Sequence, residues 1–396
     1  MEVHSDEGLG VDHGVREWTD WGWQQRNAIR GVDQLLAVYP GLSAETVGRI
    51  RQHENTRRIQ VTPYYLSLIQ RTVDGSAPLV NDPLWRQVAP VWSEGEGGAF
   101  SYVYDGVSEN WELPHEMVTP IAQHKYDNRV IVRYGNVCHA YCQFCFEALR
   151  TLERNSRKSA SNAQYWAETI DYLAHHTEVD EVILSGGEPL MHGDNQVRLV
   201  LADLAGLKRP LAVRIHTRAL TFNPFRITTE MADILRGGRV TAVGLHVSHP
   251  RELTEDFWAA ARRLQEAVPI LFANMPLLRG INDDVATLRE LCMRLYRGGV
   301  SAGYLYHFMP FSPGGESYGT SVWRGVELVR QLKRRVSNIA VPEYVLPHSS
   351  GKFTMPLTGP DDPGPKSVMD EQGNRTLRFT NWRGETVAYP DVYHDS

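Results

Sequence analysis

The chain has 396 residues, 42% hydrophobic and 22% charged, with a formal net charge of −6. That content can bury a sizeable core in one large domain or two to three ordinary ones; no basic run suggests a nucleic-acid face, and no run of 18 apolar residues offers a membrane span. The polar, acidic start Met1-Glu-Val-His-Ser-Asp-Glu7 is unlike a signal peptide, and four cysteines, three of them clustered, do not form a secreted disulfide framework, so the sequence predicts a reducing cytosol.

Residues 1–60 read as polar helices. Trp18, Trp21 and Trp23 are anchors into a core, Ser43 opens a second helix, and Thr62-Pro63 places proline at a first helical position. Residues 71–125 are rich in Pro, Gly and Asp and read as a partly extended wrap. A strand–helix rhythm begins at Arg129. Strands are predicted from Arg129, Glu181, Ala212, Thr241, Pro269 and Ala302, with amphipathic helices at 162–175, 194–205, 228–236, 252–266, 283–297 and 320–336. Such alternation means parallel strands with crossover helices. The expected fold is α/β: a partial six-stranded (β/α)6 barrel over 126–339, a helical N-terminal region and wrap over 1–125, and a C-terminal extension over 340–396 ending in a hairpin about Arg383-Gly384. Active residues in such barrels sit at the C-terminal ends of strands.

Cys138, Cys142 and Cys145 follow the first strand directly, at spacing C-x3-C-x2-C. Three thiolates are one short of the four that close an ordinary iron–sulfur cluster, so a [4Fe–4S] cluster held here keeps one iron open. The alternatives are a disulfide or a zinc site, but zinc usually wants a fourth Cys or His at a paired spacing and none is evident. Cys292 lies mid-helix among apolar residues and reads as core; no zinc is predicted. After the second strand comes Ser185-Gly186-Gly187-Glu188-Pro189. Its glycines allow close backbone approach to a ligand, although an ordinary strand-end turn would use them equally.

The cysteine spacing and Gly186-Gly187-Glu188 resemble the signatures of the radical S-adenosylmethionine (SAM) enzymes. Further pieces, His124-Lys-Tyr-Asp-Asn-Arg129, Arg214-Ile-His-Thr-Arg218, Leu245-His-Val-Ser-His249, Leu277-Leu-Arg-Gly-Ile-Asn-Asp283, Tyr304-Leu-Tyr306 and Ser349-Ser-Gly-Lys352, resemble in their common order the lysine 2,3-aminomutase family. Members use both SAM and pyridoxal phosphate (PLP). The resemblance implies that Cys138, Cys142 and Cys145 bind a [4Fe–4S] cluster and Lys352 binds PLP covalently. Tyr126, Arg129 and Lys125 match positions that help hold PLP, and Tyr306 matches an aromatic near the cofactors. Asn274 stands where a Gln is usual. Gly186, Gly187 and Glu188 meet the SAM amino group, Phe144 lies where an aromatic faces adenine, and Arg218 is a SAM contact. His216 and His246 lie at strand ends toward the cofactors, although His246 and His249 also fit a plain barrel lining. The implied reaction uses a 5′-deoxyadenosyl radical on a PLP-bound amino acid and moves nitrogen from C2 to C3. An amino-acid substrate and a reductant such as flavodoxin or ferredoxin are the implied partners; the reading also admits a homo-oligomer.

Two departures bear on the substrate. Where the family has a carboxylate-gripping Arg, this chain has Glu147; either Arg150 takes its place or Glu147 meets a substrate cation. The aspartates that hold the distal ammonium of lysine correspond to positions at or near Met309 and Pro347, neither of which can pair with a cation. The expected substrate is therefore not lysine in the usual pose, with arginine or a derivative in its place. A desaturase or oxidase using the same cofactors is the second reading. A non-catalytic electron carrier is the third, and needs neither Glu188 nor Lys352.

Overall fold

The computed structural model describes residues 15–55, 57–90, 103–104, 107–108, 112–147, 151, 163–309, 312, 315–348, 350–357, 364–369, 375–381 and 385–390. An antiparallel pair, β1 (Met117–Thr119) and β2 (Ala122–Tyr126), leads into β3 (Arg129–Gly135). Then come β4 (Glu181–Gly186), β5 (Ala212–Thr217), β6 (Ala242–His246), β7 (Ile270–Pro276), β8 (Ser301–Tyr306) and β9 (Glu343–His348), each parallel to the strand before it. The last strand of the sheet, β10 (Gly351–Thr354), returns antiparallel to β9, and spatial order follows chain order throughout.

The six predicted strands and their six helices are all present, the helices being Ala163–His175, Asp194–Gly206, Thr229–Gly237, Glu255–Ala267, Val285–Arg297 and Val322–Lys333. Thr228, Thr254, Asp284 and Ser321 each cap a helix by accepting from a backbone N–H one turn on, which satisfies donors that would otherwise be orphaned. Each helix lays an apolar stripe on the sheet; Leu288, Leu291, Cys292 and Leu295 do so for Val285–Arg297, which places Cys292 in the core. No helix among the described residues is long and apolar enough to cross a membrane.

The sheet runs across both expected boundaries, 125/126 and 339/340. β9 is a seventh parallel strand, and among the described residues no helix follows it, so the repeating period ends before the sheet does. Its return strand brings Lys352 back toward the start: the Lys352 backbone N–H donates to the Tyr126 hydroxyl at 2.8 Å, joining β10 to β2 across the barrel. The ends of the sheet thus meet through a side chain rather than a backbone ladder.

The N-terminal helices form a second core around Val32, Leu35, Ile50, Leu66 and Trp85, into which Ala140 of the cysteine loop and Phe222 also pack. Ser43 and Thr62 cap as expected, while Asp20 follows one short helix (Val15–Trp18) and caps the start of the next (Trp21–Arg26). The C-terminal hairpin is β12 (Arg375–Thr380) with β13 (Thr386–Pro390), joined by β11 (Lys366–Met369), a strand too short to read from sequence. Its turn at Arg383-Gly384 lies outside the described residues.

Candidate active site

The cysteine loop leaves β3 at its carboxyl end and is held from two sides. On one side, Gln60 donates to the carbonyls of Cys138 (2.9 Å) and His139 (3.0 Å) and accepts from the Tyr141 N–H, while the Gln143 N–H donates to the Gln87 carbonyl. On the other side stands the Gly-Gly turn. The N–H groups of Gly187 and Glu188 donate to the carbonyls of Gly135 (2.5 Å) and Val137 (2.8 Å). Gly186 has φ +110°, and a Cβ there would lie 2.6 Å from the Gly135 carbonyl; one on Gly187 would lie 2.6 Å from that of Val137. The close approach these glycines permit is therefore to the chain's own backbone, next to the first cysteine. Gly187→Ala should push the loop away: iron bound per chain after anaerobic reconstitution should fall severalfold, while far-ultraviolet circular dichroism stays at wild type. Full iron loading would contradict this role.

One cavity of about 450 Å³ collects the site. Most described residues singled out from the sequence line it: the three cysteines, Phe144, Glu147, the Gly186–Glu188 turn, His216, Arg218, His246, Asn274, Tyr306, Met309, Lys125, Tyr126, Arg129 and Lys352; His249 does not. Arg150 lies outside the described residues.

At the carboxyl ends of the strands, the three cysteines are free thiols. Burial pushes the Cys145 thiol up to about 12, with the Cys142 charge second; Cys138 is also raised, by burial first and then by its two partners. Among the described residues no three Cys, His, Asp or Glu side chains converge on a single-ion position. Glu188 is buried and held by the Thr217 hydroxyl (2.7 Å) and by the N–H groups of Arg218 (2.7 Å) and Leu190 (3.0 Å). Burial raises its pKa. Nearby, Nε2 of His216, Nε2 of His246 and Oδ1 of Asn274 are buried without a protein partner. Buried polar atoms are rarely left so, which marks this wall as built for a ligand. Burial also lowers the His246 pKa to about 4, so the ring is neutral at pH 7.

Toward the amino ends of the strands lies a basic wall. Arg129 stacks over the Tyr126 ring at 4.1 Å, and Arg214 pairs with Glu181 at 2.6 Å while its Nε is buried without a partner. Lys352 faces them. As a residue it is exposed, yet its Nζ donates to the Tyr306 hydroxyl at 2.6 Å and lies 4.9 Å from the ring centres of both Tyr304 and Tyr306. Loss of solvent, then the charges of Arg214 and Arg129, lower its pKa to about 8. Below that pH the amine is protonated and unreactive; above it the amine is a nucleophile. Modification of Lys352 by a small aldehyde with borohydride, followed by peptide mass, should therefore be half-maximal near pH 8, against about 10.4 for an ordinary lysine. A midpoint near 10 would contradict the geometry.

The chain is similar over most of its length to known proteins. The model of the Radical SAM superfamily matches residues 132–292, from β3 through Cys292. L-lysine 2,3-aminomutase of Clostridium subterminale is 30% identical over 377 residues, covering 95% of this chain and 85% of that one. The chain belongs to the lysine 2,3-aminomutase family of radical SAM enzymes. Glutamate 2,3-aminomutase of Clostridioides difficile, 27% identical over 97% of this chain and 85% of its own, is a further relative. Membership makes the protein a radical SAM aminomutase-like enzyme and implies a [4Fe–4S] cluster and SAM. The cavity suits that pair, with three free thiols, a fixed carboxylate and unpartnered polar atoms on one wall.

At Glu147 the fold adds a contact that the sequence did not announce. Among the described residues the cation beside it is Arg133, fully buried in β3 behind the cavity wall. Arg133 Nε lies 2.8 Å from carboxylate oxygens of both Glu147 and Glu112, and Nη2 donates to Gln123 at 2.9 Å. Lys125 is similarly engaged, 2.7 Å from Glu116. Met309 and Pro347 are buried and line the cavity. Sequence reasoning missed Arg133, Arg214 and Thr217. Each is a polar residue in a strand whose inward direction could have been read from the alternation of its apolar neighbours.

Proposed function

We propose that the protein is a SAM- and PLP-dependent amino-acid 2,3-aminomutase acting on an amino acid other than lysine in the usual pose. The observation that carries this reading is the lysine amine of Lys352, hydrogen-bonded to Tyr306 on a wall of the same cavity that receives the three cysteines. When bound, the cluster with SAM supplies a carbon radical and PLP supplies an aldehyde that takes up amines. Cys138, Cys142 and Cys145 would hold the cluster. Glu188, fixed by three donors, would accept from the SAM ammonium, with Phe144 against the adenine and His216, His246, Asn274 and Arg218 along the same wall. Arg129 and Arg214, with Tyr126, would hold the PLP phosphate by charge-assisted hydrogen bonds. Lys352 would bond PLP covalently, and Tyr306, whose phenol burial keeps protonated, would position the amine and return a proton to it. The surrounding apolar wall excludes water and fixes the reacting groups in line.

Glu147 favours a second reading, desaturation or oxidation of an amino acid, because it puts an acid, held by Arg133, on the wall where the family has a carboxylate-gripping Arg. The test is a screen of amino acids, arginine and its derivatives first, with reduced, reconstituted protein and SAM. An isomer of equal mass supports the mutase. A product lighter by two hydrogens supports the second reading. No 5′-deoxyadenosine with any candidate overturns both.

A further inference from the structure

Arg218 touches the cysteine loop through a sulfur. It sits immediately after β5, at the start of the short helix Ala219–Phe222. Its Nη1 donates to Cys142 Sγ at 2.9 Å. The rest of the guanidinium is locked. Nη2 donates to Glu252 Oε1 at 2.9 Å, to Ser248 Oγ at 3.4 Å and to the Gln87 side-chain oxygen, and Nε donates to Thr221 Oγ1 at 3.4 Å. The cation lies over the rings of Phe222 (4.5 Å) and Phe144 (5.5 Å). Glu252 is fully buried and held by the Tyr65 hydroxyl (3.1 Å) and the N–H groups of Ser248 (2.6 Å) and His249 (3.0 Å).

We propose that Arg218 sets the reduction potential of the cluster through its hydrogen bond to the Cys142 sulfur, with Glu252 as the positioning residue that aims it. This rests on the reading that Cys142 is a cluster ligand. Reduction adds one negative charge to the cluster. A donor hydrogen bond to a ligand sulfur, and a cation beside it, stabilise the more negative state and raise the potential. Glu252 does not cancel this: it binds Nη2 while Nη1 is the nitrogen on the sulfur, and its effect at Cys142 ranks below that of Arg218. The pair therefore presents the positive end of a dipole to Cys142, in surroundings that screen it weakly. Tyr65 and Gln87 come from the N-terminal helices, so that region takes part in setting the cluster's electronics.

The test is an anaerobic redox titration of the reconstituted protein without SAM, followed by the electron paramagnetic resonance of the reduced cluster. Two substitutions are compared with wild type. Arg218→Met removes the charge and the hydrogen bond. At fixed potential, its ratio of reduced to oxidised cluster should fall about tenfold, a shift of about 59 mV downward for one electron. Arg218→Lys keeps the charge against Glu252 but loses the fork that reaches sulfur, so its midpoint should fall between the two. Should Arg218→Met fail to load iron, Arg218→Lys decides alone. A midpoint equal to wild type in the lysine variant overturns the proposal. So does weaker SAM binding with unchanged potential, which would make Arg218 only a SAM ligand. Iron and sulfide content of the wild type is measured first: an absent cluster would refute the cluster reading itself, whereas a present cluster with unmoved potential refutes only the role of Arg218.

Discussion

Lys352→Ala should abolish covalent capture of PLP. Incubated with PLP and reduced by borohydride, the wild-type protein should carry one adduct on the peptide containing Lys352, and the variant should carry none there. Lys352 has its backbone tied to Tyr126 and its amine tied to Tyr306, so both the chain and the reacting nitrogen are aimed into the cavity. The charges of Arg214 and Arg129, added to lost solvent, keep a large share of that amine neutral near pH 8. The other lysine on the cavity wall, Lys125, is held in an ion pair with Glu116 and does not substitute. Tyr306→Phe should retain the adduct but move the pH at which it forms. Equal labelling of Lys352→Ala and wild type, with the adduct on another lysine, would remove PLP from this part of the cavity.

Arg133→Met should cost about 3–5 kcal/mol of stability, the usual effect of breaking a buried ion pair by removing one partner. Arg133 has no exposed surface, and its Nε lies 2.8 Å from carboxylates brought in by two separate segments, Glu112 of the wrap and Glu147 of the cysteine loop. Without the guanidinium these carboxylates stay buried with less compensation, and the wrap loses a tie to β3. Denaturant unfolding monitored at the tryptophans reads the loss. The double variant Arg133→Met with Glu147→Gln should recover part of it, because one of the stranded charges is gone. A single variant as stable as wild type would show that the cluster of charges is solvated.

The barrel was legible because its strands and helices alternate at a regular period, and the cysteine spacing pointed to its chemistry before any geometry was known. What the sequence left hidden falls into two kinds. β9, though an extended run in the sequence, and β10 escaped the period because among the described residues no helix follows β9 and Pro347 interrupts its run, yet they carry Lys352 to the cavity wall. The partners of Arg133 escaped because a strand arginine meets carboxylates from distant segments, and only the tertiary fold joins them. The Gly186-Gly187 turn was found for its chemistry but serves first to seat one loop on another. A glycine signals close approach without saying what approaches.

The most direct measurement of the central claim asks whether the two sides of the cavity act together. Reduced, reconstituted protein is given SAM and its amino-acid substrate, with and without PLP, and 5′-deoxyadenosine is counted. One cavity lined by the cysteines and by Lys352 predicts that substrate stimulates cleavage of SAM only when PLP is present. Equal 5′-deoxyadenosine formation in PLP-free protein would contradict it.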